Sequence, residues 1–262
     1  MEWTYPIKPP FGTPINRNHW ASAGLRAQYL FNEGCGDLVH DSCGNNDGKM
    51  IGMAPMSGTS GWVPGPHGAA LAFDGSNDYV DCGTLRKMSH ITVGCSLTLN
   101  TITSSVGQKF IFIGVDASTN WHCFLGMAAV PAPYWEGGVS NGSSWQPVTS
   151  TTVAQIKVKA FLVLTYNTNT AILYLNAIPI ASIDTSVIMS EFKIYIGASG
   201  SIGQPPNAII NNSFIYNRAL QPDEIAYLNA FPWCMYDMPA SAWEYDRQSR
   251  KLDRYYRRLA AA

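Results

Sequence analysis

At 262 residues, 46% of them hydrophobic and only 13% charged, the chain can build a packed core, and global disorder, coiled coils and helical arrays are excluded. A formal net charge of −1 excludes general electrostatic adhesion to nucleic acid. The charge is uneven: residues 1–240 carry 11 basic and 15 acidic side chains, while residues 241–262 carry 6 and 3, so the last 22 residues are a compositional unit of their own.

Residues 1–22 read as an extended arm. Pro6, Pro9, Pro10 and Pro14 interrupt helix and strand ladders. Trp3, Tyr5, Phe11 and Trp20 are too apolar for a solvated tail, so the arm must lie on something, either its own domain or a neighbour. The first residues lack the apolar core of a secretory signal, and no 18-residue apolar run occurs, so the expectation is a product made in the cytoplasm with no membrane partner.

From Gly24 the pattern is β. Leu25–Phe31 alternates, and a Gly/Asp/Asn-rich stretch of turns follows. Ala69–Phe73 and Tyr79–Gly83 flank Asp74-Gly75-Ser76-Asn77-Asp78, which predicts a hairpin. Further strands are expected over 91–99, 109–115, 122–128, 159–166, 171–176, 178–183, 192–198 and 208–216. Residues 159–176 read as a second hairpin of central strands. Turn residues about every ten positions, with no helical crossovers, indicate a sandwich or barrel. The first clear helix starts at Pro222, with Asp223 and Glu224 in its first turn. The six cysteines include no CxxC pair, and they read as small buried hydrophobes, with Cys35–Cys43 the best candidate for a bridge.

Four segments in order, GAALAFDGSNDYVDCG, LTYNTNTAILYLN, IYIGASG and SFIYNRALQPDEIAYL, resemble the laminin-G-like family of concanavalin A-type jelly rolls. The likeness covers roughly Leu25 to Leu228. It implies an all-β, two-sheet antiparallel jelly-roll sandwich over 23–232, between the arm (1–22) and a C-terminal linker and helix (233–262). It implies binding or adhesion as the function class, with some glycosidase relatives. An arm, one such domain and a short tail also resemble phage structural proteins. Many family members carry an acidic pair where this chain has Asn211 and Asn212, and calcium prefers carboxylates. No calcium site or other cofactor is therefore expected.

Glycoside hydrolysis needs two carboxylates roughly 5–10 Å apart, and no strand shows an E-x-D-x-E-type alternation. No GxSxG, HExxH or P-loop occurs, and the five histidines lack metal-ligand spacing and read as surface residues. The chain is read as a non-enzyme. Trp121, Tyr134, Trp135 and Trp145 fall in a loop-like Gly/Ser/Asn-rich stretch, where rings can stack on sugars or pack a rim or an interface. In the tail, Ser241 and Glu244 form a capping box for a helix over 242–259. Tyr245, Leu252, Tyr255, Tyr256 and Leu259 line one face, and Arg247, Arg250, Arg254 and Arg258 another. With Trp3, Tyr5, Phe11 and Trp20 these are the expected assembly contacts. The expectation is a structural or adhesion protein of a virion surface, bound to capsid or tail proteins or to copies of itself, with a glycan-binding face. The alternatives are a soluble carbohydrate-binding module or, less favoured, a glycoside hydrolase.

Overall fold

A computed structural model describes residues 7–54, 57–102, 107–114, 121–129, 133–140, 144–186, 192–198 and 204–236, with the backbone alone for Trp121 and Trp145. In chain order the strands are β1 (Leu25–Tyr29), β2 (Leu38–Val39), β3 (Gly48–Ile51), β4 (Gly61–Gly65), β5 (Gly68–Asp74), β6 (Tyr79–Leu85), β7 (Ile91–Leu99) and β8 (Gln108–Gly114). They continue as β9 (Trp121–Met127), β10 (Tyr134–Ser140), β11 (Trp145–Val153), β12 (Lys159–Tyr166), β13 (Thr170–Leu175), β14 (Ile178–Asp184), β15 (Phe192–Ile196) and β16 (Asn207–Tyr216), and helix α1 (Pro222–Ala230) follows.

The strands form two antiparallel sheets. The first runs β14-β13-β12-β7-β16-β5-β4, with β1 paired to β16. The second runs β11-β10-β9-β8-β15-β6-β3-β2. Alternating residues of both meet in one core, among them Val93, Leu162, Leu164 and Ile215 from the first sheet and Val80, Ile111, Leu125 and Ile194 from the second. This is the expected two-sheet sandwich. β12 and β13 form the expected hairpin, Leu162 opposite Leu175 through Tyr166 opposite Ala171.

The near-continuous apolar run of β12 has a structural cause. Phe161 and Val163 point away from the main core into a second apolar layer with Phe214, Tyr216, Ile225, Leu228, Trp233 and Tyr236. Helix α1, the residues after it and the N-terminal arm cover this outer face of the first sheet. The arm wraps its own domain. Ile15 bridges to Tyr236, the Asn16 amide donates to the Met235 carbonyl at 2.8 Å, and the buried Tyr216 hydroxyl donates to the Ala21 carbonyl at 2.7 Å.

Three local expectations change. The Asp-Gly turn after β5 is no hairpin: β5 pairs with β4 and β16 in the first sheet, β6 with β3 and β15 in the second. Asp78 is fully buried beneath this crossover and accepts from the Asp74 amide at 3.0 Å. The six cysteines are free thiols, which agrees with the main reading, but Cys35 is exposed and does not form the bridge to Cys43 for which that pair was the best candidate. His67 and His122 are buried rather than surface residues, His122 stacked on Phe192 with ring centroids 3.5 Å apart.

Lys8 anchors the start of the arm. It is 4% exposed, its backbone amide donates to the His67 carbonyl at 3.0 Å, and its ammonium donates to the carbonyls of Phe31 and Ala69. Burial pushes its pKa down to about 7, against the opposing charge of Glu33. An unfolded lysine titrates near 10.4. Between these values the unfolded chain binds more protons, so this residue's contribution to stability rises with pH across that window and is flat below it. The melting-temperature advantage of the wild type over Lys8→Met should therefore grow between pH 6.5 and 9.5. An unchanged difference would refute the titration.

Candidate functional site

The four aromatic residues of the Gly/Ser/Asn-rich stretch belong to strands, not to a loop. Trp121 opens β9, Tyr134 and Trp135 open β10, and Trp145 opens β11. The register separates them: Trp145 pairs with Ser140 at one end of the β10–β11 ladder and Tyr134 with Val153 at the other, about 20 Å apart. Tyr134 and Trp145 therefore start from opposite ends of the ladder. Trp135 faces inward, is 3% exposed and packs on Phe110 at 6.1 Å, so its expected role as a ligand platform is corrected to core packing. Tyr134, one residue earlier, takes the opposite face and stays half-buried.

That opposite face carries a polar cluster that sequence reading missed. Glu136 lies two residues from Tyr134 on the same face of β10. Opposite it on β11, the Thr149 hydroxyl donates to Glu136 Oε1 at 3.2 Å. From β8, two strands away, Lys109 Nζ reaches Glu136 Oε2 at 3.2 Å and sits 3.5 Å from the centre of the Phe124 ring. Lys109 must cross β9 to do this, and β9 presents Gly126 between Lys109 and Glu136. A Cβ at Gly126 would stand 3.0 Å from the lysine's Cδ and 2.2 Å from the Gln108 carbonyl oxygen, so glycine is required for this close approach. Burial lowers the Lys109 pKa, and Glu136 opposes that shift. The alternation Tyr134, Glu136, Gly138 against Trp135, Gly137, Val139 was the available signal, obscured because two glycines weaken a strand reading.

Farther across the same face, Phe112, Phe124 and Tyr195 form a buried aromatic cluster with Tyr79 at its margin. Lys193 and Asp81 pair beyond it at 3.6 Å. Four strand spacings, about 19 Å, separate Glu136 on β10 from Asp81 on β6. That exceeds the roughly 5–9.5 Å between the carboxylates of a glycosidase pair. Among the described residues no group of three or more His, Cys, Asp or Glu is placed to hold a metal ion. Asn211 and Asn212 are buried side chains of β16 at a register shift against β7, not solvent-facing ligands.

Of the expected assembly contacts, Phe11 is 62% exposed. Trp20 packs edge-on against Tyr227 of α1 at 5.3 Å and so serves the domain's own cover. Trp3, Tyr5 and the whole set from Tyr245 to Leu259, with Arg247, Arg250, Arg254 and Arg258, lie outside the described residues. No described helix is long and apolar enough to cross a membrane.

Residues 74–226, more than half of the chain, match the family model of the concanavalin A-like lectin/glucanases superfamily. The chain belongs to that superfamily. Superfamily membership agrees with two stacked antiparallel sheets and with the four ordered segments. A search of the curated proteins finds no match. Among solved structures, the chain is similar to a Trypanosoma rangeli sialidase in complex with sialic acid, with TM-score 0.59 and 15% identity over 79% of this chain and 33% of that one. A mutant of that sialidase displaying trans-sialidase activity gives 0.59 and 16% over 84% and 36%. The chain thus spans about a third of the sialidases. Domain 4 of AbnA, an extracellular GH43 arabinanase of Geobacillus stearothermophilus in complex with arabinotriose, gives 0.59 and 17% over 78% of this chain and 98% of that one. At these identities the likeness shows a shared fold.

Proposed function

We propose that this concanavalin A-like domain is a carbohydrate-binding module without catalytic activity, and that Tyr134, Glu136, Thr149 and Lys109 form its glycan-contacting face. The observation that carries the reading is the half-buried Tyr134 ring beside a fixed polar set on the same sheet face. Sugars offer a C–H face to a ring and hydroxyls to such groups. The arabinotriose complex of a whole domain of this fold supports the ligand class. The 19 Å estimate between Glu136 and Asp81 supports binding over hydrolysis, as does the lysine that neutralises Glu136. The setting we propose is attachment at a virion surface, with capsid or tail proteins as partners, and the basic amphipathic sequence of 242–259 supports it.

Titration calorimetry against a panel of neutral and sialylated oligosaccharides tests the reading. Tyr134→Ala and Glu136→Gln should each weaken binding about tenfold, the equivalent of about 1.4 kcal/mol for one ring or charge-assisted hydrogen bond. Incubation with the same sugars should release no product. Unchanged affinity in both variants would remove this face as the site, and turnover abolished by a single carboxylate substitution would overturn the non-catalytic reading.

A further inference from the structure

The geometry points to a second sugar subsite, for a single uncharged ring, in the cleft between the N-terminal arm and the entry to the sandwich. This inference rests on the carbohydrate-binding reading but uses a different surface, outside the matched residues 74–226. The arm makes a tight turn at Pro10-Phe11-Gly12-Thr13, closed by the Thr13 amide donating to the Pro10 carbonyl at 3.0 Å. Gly12 takes φ +80°, the conformation such a turn asks of its third residue. That places Phe11 at the tip with its ring 62% exposed.

Both flanks of the turn are clamped, by Lys8 and by Asn32 Nδ2 donating to the Pro9 carbonyl at 2.7 Å on one side, and by the Ile15–Tyr236 bridge on the other. Phe11 is thus held at the tip of a turn anchored on both sides, largely exposed and with its ring against His40. Behind the turn lies a cleft of about 110 Å³, whose walls include Phe11, Thr13, Leu30, Asn32, His40 and Ser42. The cleft has room for the inserted edge of one sugar ring.

The polar groups of the cleft are of mixed character. Asn32 has spent its amide N–H on the Pro9 carbonyl, which leaves its Oδ1 as an acceptor. His40 Nδ1 is 3.0 Å from Asp47, which leaves Nε2 as the ring nitrogen for a ligand, and Ser42 adds a hydroxyl. Phe11 meets His40 edge-on at 5.5 Å, so ring and polar wall are set at a fixed angle. The surrounding charge is mostly acidic, with Arg17 at the Cys43 thiol as a counter-charge. Glu33 accepts from the His40 amide at 2.6 Å, Asp47 holds the His40 ring, and Asp41 accepts from the Cys43 amide at 2.9 Å. The one lysine nearby, Lys8, has its ammonium turned to two backbone carbonyls. Three acids against Arg17 disfavour a further carboxylate, so the subsite takes a neutral pyranose or furanose in preference to sialic acid.

The test titrates arabinotriose and a sialylated trisaccharide into the full chain, its Phe11→Ala variant and its Glu136→Gln variant. The histidine ring resonances, followed by NMR, provide a second readout. Phe11 is exposed, so Phe11→Ala should fold as the wild type does. The expected result is that Phe11→Ala weakens arabinotriose binding at least fivefold, that the His40 resonance shifts with arabinotriose, and that the sialylated sugar leaves it unmoved. Equal affinity in wild type and Phe11→Ala, with loss in Glu136→Gln, would overturn the cleft and leave the carbohydrate-binding reading standing. A sialylated ligand that shifts His40 would overturn the neutral class. No binding of either sugar to the wild type would overturn both readings.

Discussion

A chain begun at Ala23 is expected to lose about 4–6 kcal/mol of stability and to unfold near body temperature, because the arm is part of the fold and not an attachment to it. Removing it strips Ile15 and Ala21 from the second apolar layer. It also leaves the Tyr216 hydroxyl, now donating to the Ala21 carbonyl at 2.7 Å, buried without a partner. Burial of one large aliphatic side chain is worth about 1.5–3 kcal/mol, and an orphaned buried hydroxyl costs about 1–3 kcal/mol. The arm's bonds to Met235 and to the Phe31 carbonyl go with it. Domains of this kind have about 5–15 kcal/mol in all. Urea denaturation of the full and shortened chains measures the difference directly. A shortened chain with an unchanged midpoint would show that the cover does not depend on the arm.

The second large effect is expected at the Lys109–Glu136 pair, whose side chains are only 8% and 16% exposed. Lys109→Ala should destabilise by about 3–5 kcal/mol, since it leaves a mostly buried carboxylate without its counter-charge and uncovers the Phe124 ring. The double substitution Lys109→Met with Glu136→Leu should be much less harmful, because matched apolar groups remove both desolvation penalties at once. The double variant should also bind no sugar while remaining folded, which separates the stability of the face from its proposed use. Denaturant midpoints of Lys109→Met, Glu136→Leu and the double variant form the cycle that checks this. Additive losses would mean that the two residues do not act as a pair.

Much of the sandwich was legible before any coordinates. Strands such as Ile91–Leu99 and Lys159–Tyr166 have bounds that follow from β-branched and aromatic runs between turn residues, and Pro222 with its acidic neighbours marks the one described α-helix. Local signals of this kind depend on residues close in sequence. β10 was not legible, because Gly137 and Gly138 lower its propensity and only its neighbours β9 and β11 hold it extended. The Asp74–Asp78 turn shows the same limit. A turn sequence announces a reversal but does not say whether the next strand returns beside the last or crosses to the facing sheet, and here the second outcome is made by pairing with β3 and β15.

The candidate sites divide in the same way. Composition and the spacing of apolar and turn residues by themselves determined an all-β sandwich or barrel, with an arm that had to lie on something, and the likeness of four segments to a known family implied the sandwich. What the arm lies on was decided by the tertiary structure, because Ile15 meets Tyr236 across more than two hundred residues. Tertiary structure likewise turned Trp135 inward while setting Glu136 outward against Lys109 two strands away, and brought Phe11 beside His40. Such meetings are long-range. A strand's period settles which residues share a face, but sheet order and register alone settle which face becomes core, which is covered by arm and helix, and which holds a charge pair.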